Sequence, residues 1–304
     1  MKYTDTAHGR PFAKDPAVVF FQNAYFLYYS LTPFGDGRAR DGLSMGIARS
    51  SDMEAWSKVG EIGPEQPCER NGLGAPGAVV LNGQIHLFYQ TYGNGPKDAI
   101  CHAISDDGMH FVRNPSNPIF SPHGDWNNGR AIDADVLPVG DRLFLYFATR
   151  DPSGTIQKLG VASAGLDSGF GRSEWTQACT DSILEPELDW EQQCIEAPAT
   201  CRVGERFFMF YGGAYNCSPQ QIGCAVSDDG LHWQRLDQHP FLSNGQPGTW
   251  NASESGHPFI FFDDDGRSFL FYQGSPDGGH SWFLSKLQLD WKGGRPHVPE
   301  HPGS

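Results

Sequence analysis

Short apolar segments alternate with turns along the whole chain, and each pair of segments has the same layout. In the first pair, residues 17–19 (Ala-Val-Val) precede the aromatic-rich residues 25–29, and in the second pair, residues 78–80 (Ala-Val-Val) precede residues 85–89. A third short segment follows in most units, and several end in Ser-Asp turns such as Ser105-Asp106-Asp107-Gly108. Asp-Gly dipeptides form hairpin turns between antiparallel strands. This pattern predicts an all-β chain.

The layout recurs five times at nearly equal spacing. One position in the first strand marks each unit: Pro16, Pro76, Ala134, Pro198 and Pro258. Five units of about 60 residues with four strands each predict a five-bladed β-propeller with four antiparallel strands per blade. We expect one domain spanning residues 1–304, with blades that start near residues 15, 75, 133, 196 and 257. A β-sandwich would give no reason for five equal steps.

The start of each first strand is where we expect chemistry. The first strand of each propeller blade lines the central channel, so the residues that open these strands meet at one mouth of the channel. They are Asp15, Ala75, Asp133, Glu196 and His257. Two carboxyl groups beside one bond can hydrolyse a glycoside, because one donates a proton and the other activates water or attacks the sugar. A single acid here is as easily a solvated strand end, but three acids at equivalent blade positions favour a catalytic set.

Composition and charge exclude several classes of protein. The chain has 304 residues and a formal net charge of −14, which argues against nucleic acid or an anionic membrane as partner. Its 37 glycines and 22 prolines disfavour long helices. No signal peptide and no membrane span is evident, so a cytoplasmic location is expected. Seven cysteines without a Cys-x-x-Cys pair favour reduced thiols.

The motifs that open the blades resemble those of a known family. Asp15-Pro16, Ala75-Pro76, Ile132-Asp133 and Glu196-Ala197-Pro198, in this order, resemble glycoside hydrolase family 43 and its propeller relatives over essentially the whole chain. The resemblance implies a glycosidase in which Asp15 is the general base, Glu196 is the general acid, and Asp133 positions and tunes that acid. It also implies inversion, on arabinofuranosides, xylosides or galactosides of plant- or algal-type oligosaccharides. Gly74 replaces the tryptophan usual before Ala-Pro, which leaves the sugar open.

Other functions fit parts of the same pattern. A retaining fructosidase would share the propeller, but Arg150-Asp151-Pro152 follows the second strand of its blade and is expected to be a loop. A neoagarobiose hydrolase-like propeller would use a histidine as the acid. A phosphorylase of the mannoside type would need clustered basic residues, which appear only scattered along the sequence. A non-catalytic carbohydrate-binding propeller would have no need of Asp15, Asp133 and Glu196 together. Asp135 competes with Asp133, and we expect it to point away from the site.

Candidates for contacting an oligosaccharide lie near the first strands or in loops after the second strands. They are Arg10, Phe34, Tyr92, Trp126, Arg130, Trp250 and His257. The equal offsets of Trp126 and Trp250 indicate blade packing first and sugar stacking second. His257 has three interpretations: it hydrogen-bonds substrate, holds a channel ion or water, or acts as an acid. No cofactor is expected to be required, although the resemblance allows calcium or another ion in the channel. The oligomeric state is left open.

Overall fold

The computed structural model describes residues 1–32 and 42–299, which form five antiparallel sheets arranged as a five-bladed propeller. A short β1 (Lys2–Tyr3) comes first. Blade one then holds β2 (Lys14–Phe21), β3 (Ala24–Leu31), β4 (Ser44–Ser50) and β5 (Ser57–Ile62). Blade two holds β6 (Leu73–Leu81), β7 (Gln84–Thr91), β8 (Ile100–Ser105) and β9 (Val112–Arg113). The predicted all-β, four-stranded blades are confirmed.

The remaining blades repeat this order. Blade three holds β10 (Ile132–Val139), β11 (Arg142–Arg150), β12 (Gln157–Gly165) and β13 (Thr176–Gln177). Blade four holds β14 (Ile195–Val203), β15 (Arg206–Gly213), β16 (Gln221–Ser227) and β17 (Gln234–Arg235). Blade five holds β18 (Glu254–Phe262), β19 (Ser268–Ser275) and β20 (Phe283–Lys292), with β21 (Arg295–His297) on β20. The described helices are short 3-10 turns at Pro67–Glu69, Gly95–Lys97, Arg172–Glu174 and Asp189–Glu191, and none is long and apolar enough to cross a membrane.

The second strands read as continuous apolar runs because both of their faces are buried. On β11, Leu145 and Phe147 pack with Phe88 of blade two, whereas Tyr146 packs with Met209 of blade four. Successive side chains of a strand point to opposite faces, so each blade contributes to two interfaces. The core of the protein is therefore the set of contacts between neighbouring blades.

The amino-terminal strand closes the ring of blades. β1 pairs with β20 of blade five, with Lys2 opposite Ser285 and Tyr3 opposite Leu284. The Tyr3 hydroxyl also lies 2.8 Å from the hydroxyl of Tyr29 in blade one. The two ends of the circle are thus joined by backbone and side-chain hydrogen bonds.

Each first strand has the same irregularity near its start. A β-bulge interrupts the register in all five, and one residue within it has positive φ: Asp15 (54°), Ala75 (45°), Asp133 (54°), Ala197 (51°) and His257 (42°). A bulge changes the direction in which side chains point. This backbone feature presents two consecutive positions of a strand to the channel mouth.

Candidate active site

A cavity of about 620 Å³ opens at the mouth of the channel, and all five blades contribute to its lining. The five residues predicted to meet there all line it: Asp15, Ala75, Asp133, Glu196 and His257. Asp135 does not line this cavity. It lines a second cavity of about 400 Å³ that later residues of the same strands form. The structure thus brings together three acids that are widely separated in sequence.

Glu196 reaches the cavity from a different strand position than the two aspartates. We expected equivalent positions in three blades, and this is wrong by one residue for Glu196. The positive-φ residue of blade four is Ala197, so Glu196 corresponds to Lys14 in blade one and Ile132 in blade three. Because the bulge turns both positions inward, Lys14 and Ile132 line the cavity as well.

Asp15 lies among groups that favour its ionised form. Its Oδ1 is 3.2 Å from Nδ1 of His257 and 4.0 Å from Nζ of Lys14. Burial acts to raise the pKa of Asp15, but His257 and Lys14 outweigh it and hold the pKa below its ordinary value. Asp15 is therefore a carboxylate at neutral pH.

Asp133 lies in the opposite electrostatic environment. Burial raises the pKa of Asp133 well above its ordinary value, and the carboxyl groups of Glu196 and Asp15 raise it further. Glu196 accepts hydrogen bonds from the side-chain amides of Gln157, Gln220 (2.6 Å) and Asn216 (3.3 Å). The site thus combines Asp15, whose pKa is lowered, with Asp133, whose pKa is raised.

Glutamine side chains brace the strained backbone under these groups. The N–H of Asp15 donates to Gln273 (3.0 Å), that of Asp133 to Gln90 (2.8 Å) and that of His257 to Gln220 (3.2 Å). Each glutamine belongs to the neighbouring blade that comes before the braced blade in the order of the ring, with blade five before blade one. The Gln220 amide also donates to Glu196, so one side chain fixes both the acid and His257. A non-glycine residue at positive φ is strained, and such contacts hold it in place.

His257 faces Asp15, and burial lowers the pKa of its imidazole, although Asp15 opposes this effect. The histidine is therefore a neutral hydrogen-bonding group. Among residues 1–32 and 42–299, no group of three or more His, Cys, Asp or Glu side chains is arranged to hold a metal ion. The donor set beside His257 does not fit a resident cation, and no step is assigned to one.

The predicted binding residues divide into three groups. Arg10, Arg130 and Tyr92 line the cavity. Phe34 lies outside the described residues.

Trp126 and Trp250 do not line the cavity, so a stacking role in it is wrong for both. Trp126 is buried in the core between blades, and the ring of Trp250 lies 5.4 Å from that of Tyr272. Their equal offsets within the repeat reflect packing, which was our first interpretation.

Several cavity residues were missed from the sequence. Tyr215 and Trp282 occupy loops after the second strands of blades four and five, where Tyr92 lies in blade two. Looking at the loop after the second strand of every blade would have found them.

The sequence predicts a loop at Arg150, but this residue is the last of β11 and lines the cavity, whereas Asp151 and Pro152 lie beyond the strand. Buried Glu254, whose pKa burial raises to about 7, accepts a hydrogen bond from Gln273 (2.6 Å).

Comparisons with known proteins agree with this geometry. Residues 10–136 match the family model described as the glycosyl hydrolases family 32 N-terminal domain. A thermostable family-43 glycoside hydrolase has a similar structure, with a TM-score of 0.75, 21% identity and coverage of 98% of this chain and 96% of that one. The α-L-arabinofuranosidase from Lactobacillus brevis has a TM-score of 0.71, 16% identity and 93% coverage of both chains.

Two curated relatives have more specific descriptions. The 1,2-beta-oligomannan phosphorylase of Thermoanaerobacter sp. (strain X514) is 25% identical over 208 residues, which are 66% of this chain and 64% of that protein. The fructan 1-exohydrolase of Leymus chinensis is 24% identical over 257 residues, which are 78% of this chain and 41% of that protein. The matched region therefore spans less than two thirds of either relative.

The chain has the five-bladed propeller fold of these glycoside hydrolase structures, and its residues 10–136 match the family 32 model. The resemblance to family 43 and its propeller relatives is confirmed, and the comparisons support a glycosidase. Within that class, the relatives differ in what their names say they act on.

Proposed function

We propose that the protein hydrolyses glycosidic bonds with inversion, and that Asp15, Asp133 and Glu196 carry the reaction. The observation that supports this most is the division of protonation within one cavity. The pKa of Asp15 is held low by His257 and Lys14, whereas burial and the neighbouring carboxyl groups raise that of Asp133. An acid and a base of different protonation state are what an inverting glycosidase uses.

Each residue has one role in the proposed reaction. The Asp15 carboxylate takes a proton from water, whose oxygen bonds to the anomeric carbon. The bond from that carbon to the leaving oxygen breaks, and Glu196 gives its proton to this oxygen. Asp133, whose own pKa burial and the Glu196 carboxyl group raise, is the positioning residue beside this acid. His257, with its lowered pKa, orients Asp15 as a neutral partner.

The proposed substrates are arabinofuranosides, xylosides or galactosides of plant- or algal-type oligosaccharides. Tyr92 is exposed at the cavity and offers an aromatic face, which suits the C–H surfaces of sugar rings, whereas Lys14 lies over the ring of Trp282 and Arg150 over that of Tyr215. The family 32 match and the fructan exohydrolase relative support testing β-fructofuranosides beside them. A retaining reaction is the alternative for those substrates.

Phosphorolysis is a second candidate, because the basic residues that appeared scattered in the sequence meet at the cavity. Arg10, Lys14, Arg130 and Arg150 all line it, and one relative is described as a phosphorylase. However, phosphate would have to approach the anomeric carbon on the side of Asp15. On that side the charge of Lys14 is already balanced by the Asp15 carboxylate, 4.0 Å away, and is not left over for phosphate. Hydrolysis therefore fits the site better.

A panel of aryl glycosides tests the reaction, with arabinofuranosides, xylosides, galactosides and fructofuranosides assayed with and without inorganic phosphate. On unactivated oligosaccharides of the sugars that the panel identifies, Glu196→Gln should lower the rate about 10²- to 10⁴-fold, because general acid catalysis contributes that much. Proton NMR of the first product anomer reports inversion or retention.

Glu205→Gln is the matched control, because Glu205 is exposed in the hairpin turn of the same blade and should leave the rate unchanged. Undiminished activity of the Glu196 variant would refute its role as the acid. A phosphate-dependent sugar phosphate product would establish phosphorolysis instead.

A further inference from the structure

Four cationic side chains line the cavity. Arg10, Lys14, Arg130 and Arg150 line it together with three acids. Two further carboxylates lie near these cations: Asp98, 3.6 Å from Arg130, and Glu254, which helps to raise the pKa of Lys14. An unpaired cation at a partly buried site is costly, so the partner of each one shows which of them could bind an anion.

Lys14, the cation beside Asp15, already has a partner. Lys14 lies 4.0 Å from the Asp15 carboxylate, and the imidazole of His257 lies 3.2 Å from it. Lys14 also has its pKa raised, because Asp15 and Glu254 outweigh the opposing effect of burial. The charge on this side of the cavity is therefore balanced within the protein.

The cations beside Glu196 are not balanced in this way. Arg150 forms no ion pair with a carboxylate of the described residues, and Arg130 has only Asp98, with 3.6 Å between Nε and Oδ2. The Nε atom of Arg130 is buried and, within the described part of the chain, has no hydrogen-bond partner. Arg150 therefore lacks a carboxylate partner among the described residues, and the single carboxylate beside Arg130 lies beyond hydrogen-bond distance.

Arg150 is held in place without being neutralised. Its Nε donates to Oε1 of Gln157 (3.1 Å), its Nη1 to the carbonyl of Gly154 (3.5 Å), and its guanidinium lies 5.5 Å from the ring centre of Tyr215. All three contacts are with neutral groups. A planar guanidinium fixed like this presents its remaining N–H groups in the geometry that binds carboxylate, sulfate or phosphate.

Gln157 connects these arginines to the acid. Its Oε1 also accepts from Nη1 of Arg130 (3.4 Å), and its Nε2 donates to Glu196. An anion bound by the two arginines would therefore lie on the side of Glu196. The acid of an inverting glycosidase stands at the leaving oxygen, whereas the base stands on the opposite face.

We propose that Arg130 and Arg150 form an oxyanion subsite for the leaving-group part of the substrate, which carries a carboxylate, sulfate or phosphate group. This proposal rests on the proposed roles of Glu196 and Asp15, because they decide which side is the leaving-group side. It narrows the substrate class to acidic oligosaccharides whose charged residue lies next to the cleaved bond.

Ligand-induced thermal stabilisation tests the subsite at constant ionic strength. The probes are D-glucuronate, galactose 6-sulfate and glucose 6-phosphate, each beside its neutral sugar, and inorganic phosphate alone. At least one anionic sugar should stabilise the wild type more than its neutral counterpart does. Arg150→Gln should weaken that binding about tenfold, because it removes a hydrogen bond between charged groups. The three probes distinguish the sources of the anion.

Arg206→Gln is the matched control, because Arg206 is half-exposed beside Asp228 and does not line the cavity. Anionic and neutral sugars that stabilise equally, or an Arg150 variant that binds anions as the wild type does, would overturn the proposal. So would stabilisation by inorganic phosphate alone that is lost in Lys14→Gln. Binding is measured without turnover, so failure here leaves the Glu196 hydrolysis test intact, and loss of hydrolysis on the panel leaves this test intact.

Discussion

Folding raises the pKa of one residue, Asp133, above its value in the unfolded chain. It is buried at a strained backbone position, its N–H donates to Gln90, and its carboxyl group faces Glu196 and Asp15. Burial and these two carboxyl groups raise its pKa. The raised pKa of Asp133 therefore reduces the stability of the fold at neutral pH.

Replacing Asp133 by Asn should raise the free energy of unfolding at neutral pH while abolishing hydrolysis. In the wild type, the folded state keeps a proton that the unfolded chain releases above about pH 4, so stability falls as the pH rises from there towards the raised pKa. Asn cannot titrate, so the difference in the free energy of unfolding between the variant and the wild type should grow over this pH range. Urea unfolding at several pH values measures it.

Asp52→Asn is the control, because it should change the free energy of unfolding at neutral pH in the opposite direction. Backbone N–H groups of its turn hold the pKa of Asp52 below its ordinary value. Its contribution is present above the unfolded pKa and is lost as the pH falls through the folded one. An Asp133 variant that is less stable than the wild type at neutral pH would contradict the assigned protonation.

At the scale of elements, a repeated ion pair joins the 3-10 turn before a blade to strands of that blade. In blade four, the buried Glu191 carboxylate accepts from the hydroxyl of Tyr211 (2.7 Å) and from Nη2 of Arg235 (2.7 Å). In blade two, Glu69 has the same relation to Tyr89 and Arg113, with the same sequence separations of 20 and 44 residues. The repeat thus conserves a buried polar connection as well as strands.

Arg235→Met should destabilise the protein by about 3–5 kcal/mol, because it leaves the Glu191 carboxylate buried without its charge partner. The loss should be full above about pH 4 and shrink as the pH falls through the lowered pKa of Glu191. Arg206→Met removes a half-exposed arginine of the same blade and should cost at most about 1 kcal/mol. If urea unfolding gives the same loss of unfolding free energy for both variants, the Glu191–Arg235 ion pair does not stabilise the fold as expected.

At the scale of the whole molecule, the closure of the ring depends on a strand of two residues. β1 supplies the outer strand of blade five, while Tyr3 hydrogen-bonds to Tyr29 of blade one. In a propeller, each blade packs only on its two neighbours, so an open ring exposes two blade faces. The pairing of β1 with β20 should therefore stabilise both blade one and blade five.

Deleting Lys2 and Tyr3 should lower the midpoint of urea unfolding and the hydrogen-exchange protection of β20 and β3. Tyr3→Phe retains the strand and loses only one hydroxyl contact, so it should lie much nearer to the wild type. Unchanged protection of β20 in the deletion variant would show that β1 does not hold the ring closed.

Much of the fold could be predicted because its determinants are local and repeated. The period of about 60 residues, the paired apolar segments and the Asp-Gly turns specify blades wherever they occur. The acids Asp15 and Asp133 were identified because they open strands whose inward direction follows from the repeat. Glu196 was identified from its motif, although its position within the bulge was expected one residue later.

The sequence by itself determined the number of blades and the identity of the acids, because strand pattern and turn chemistry act between near neighbours. Only the tertiary structure decided which other groups join them. Lys14, Arg130, Arg150, Tyr215 and Trp282 come from four different blades or their loops and share one cavity. Their convergence depends on bulges whose N–H groups are held by glutamines of preceding blades, which are contacts between residues far apart in sequence. Charged residues that are far apart in the sequence therefore line one cavity only when the five blades pack into a ring.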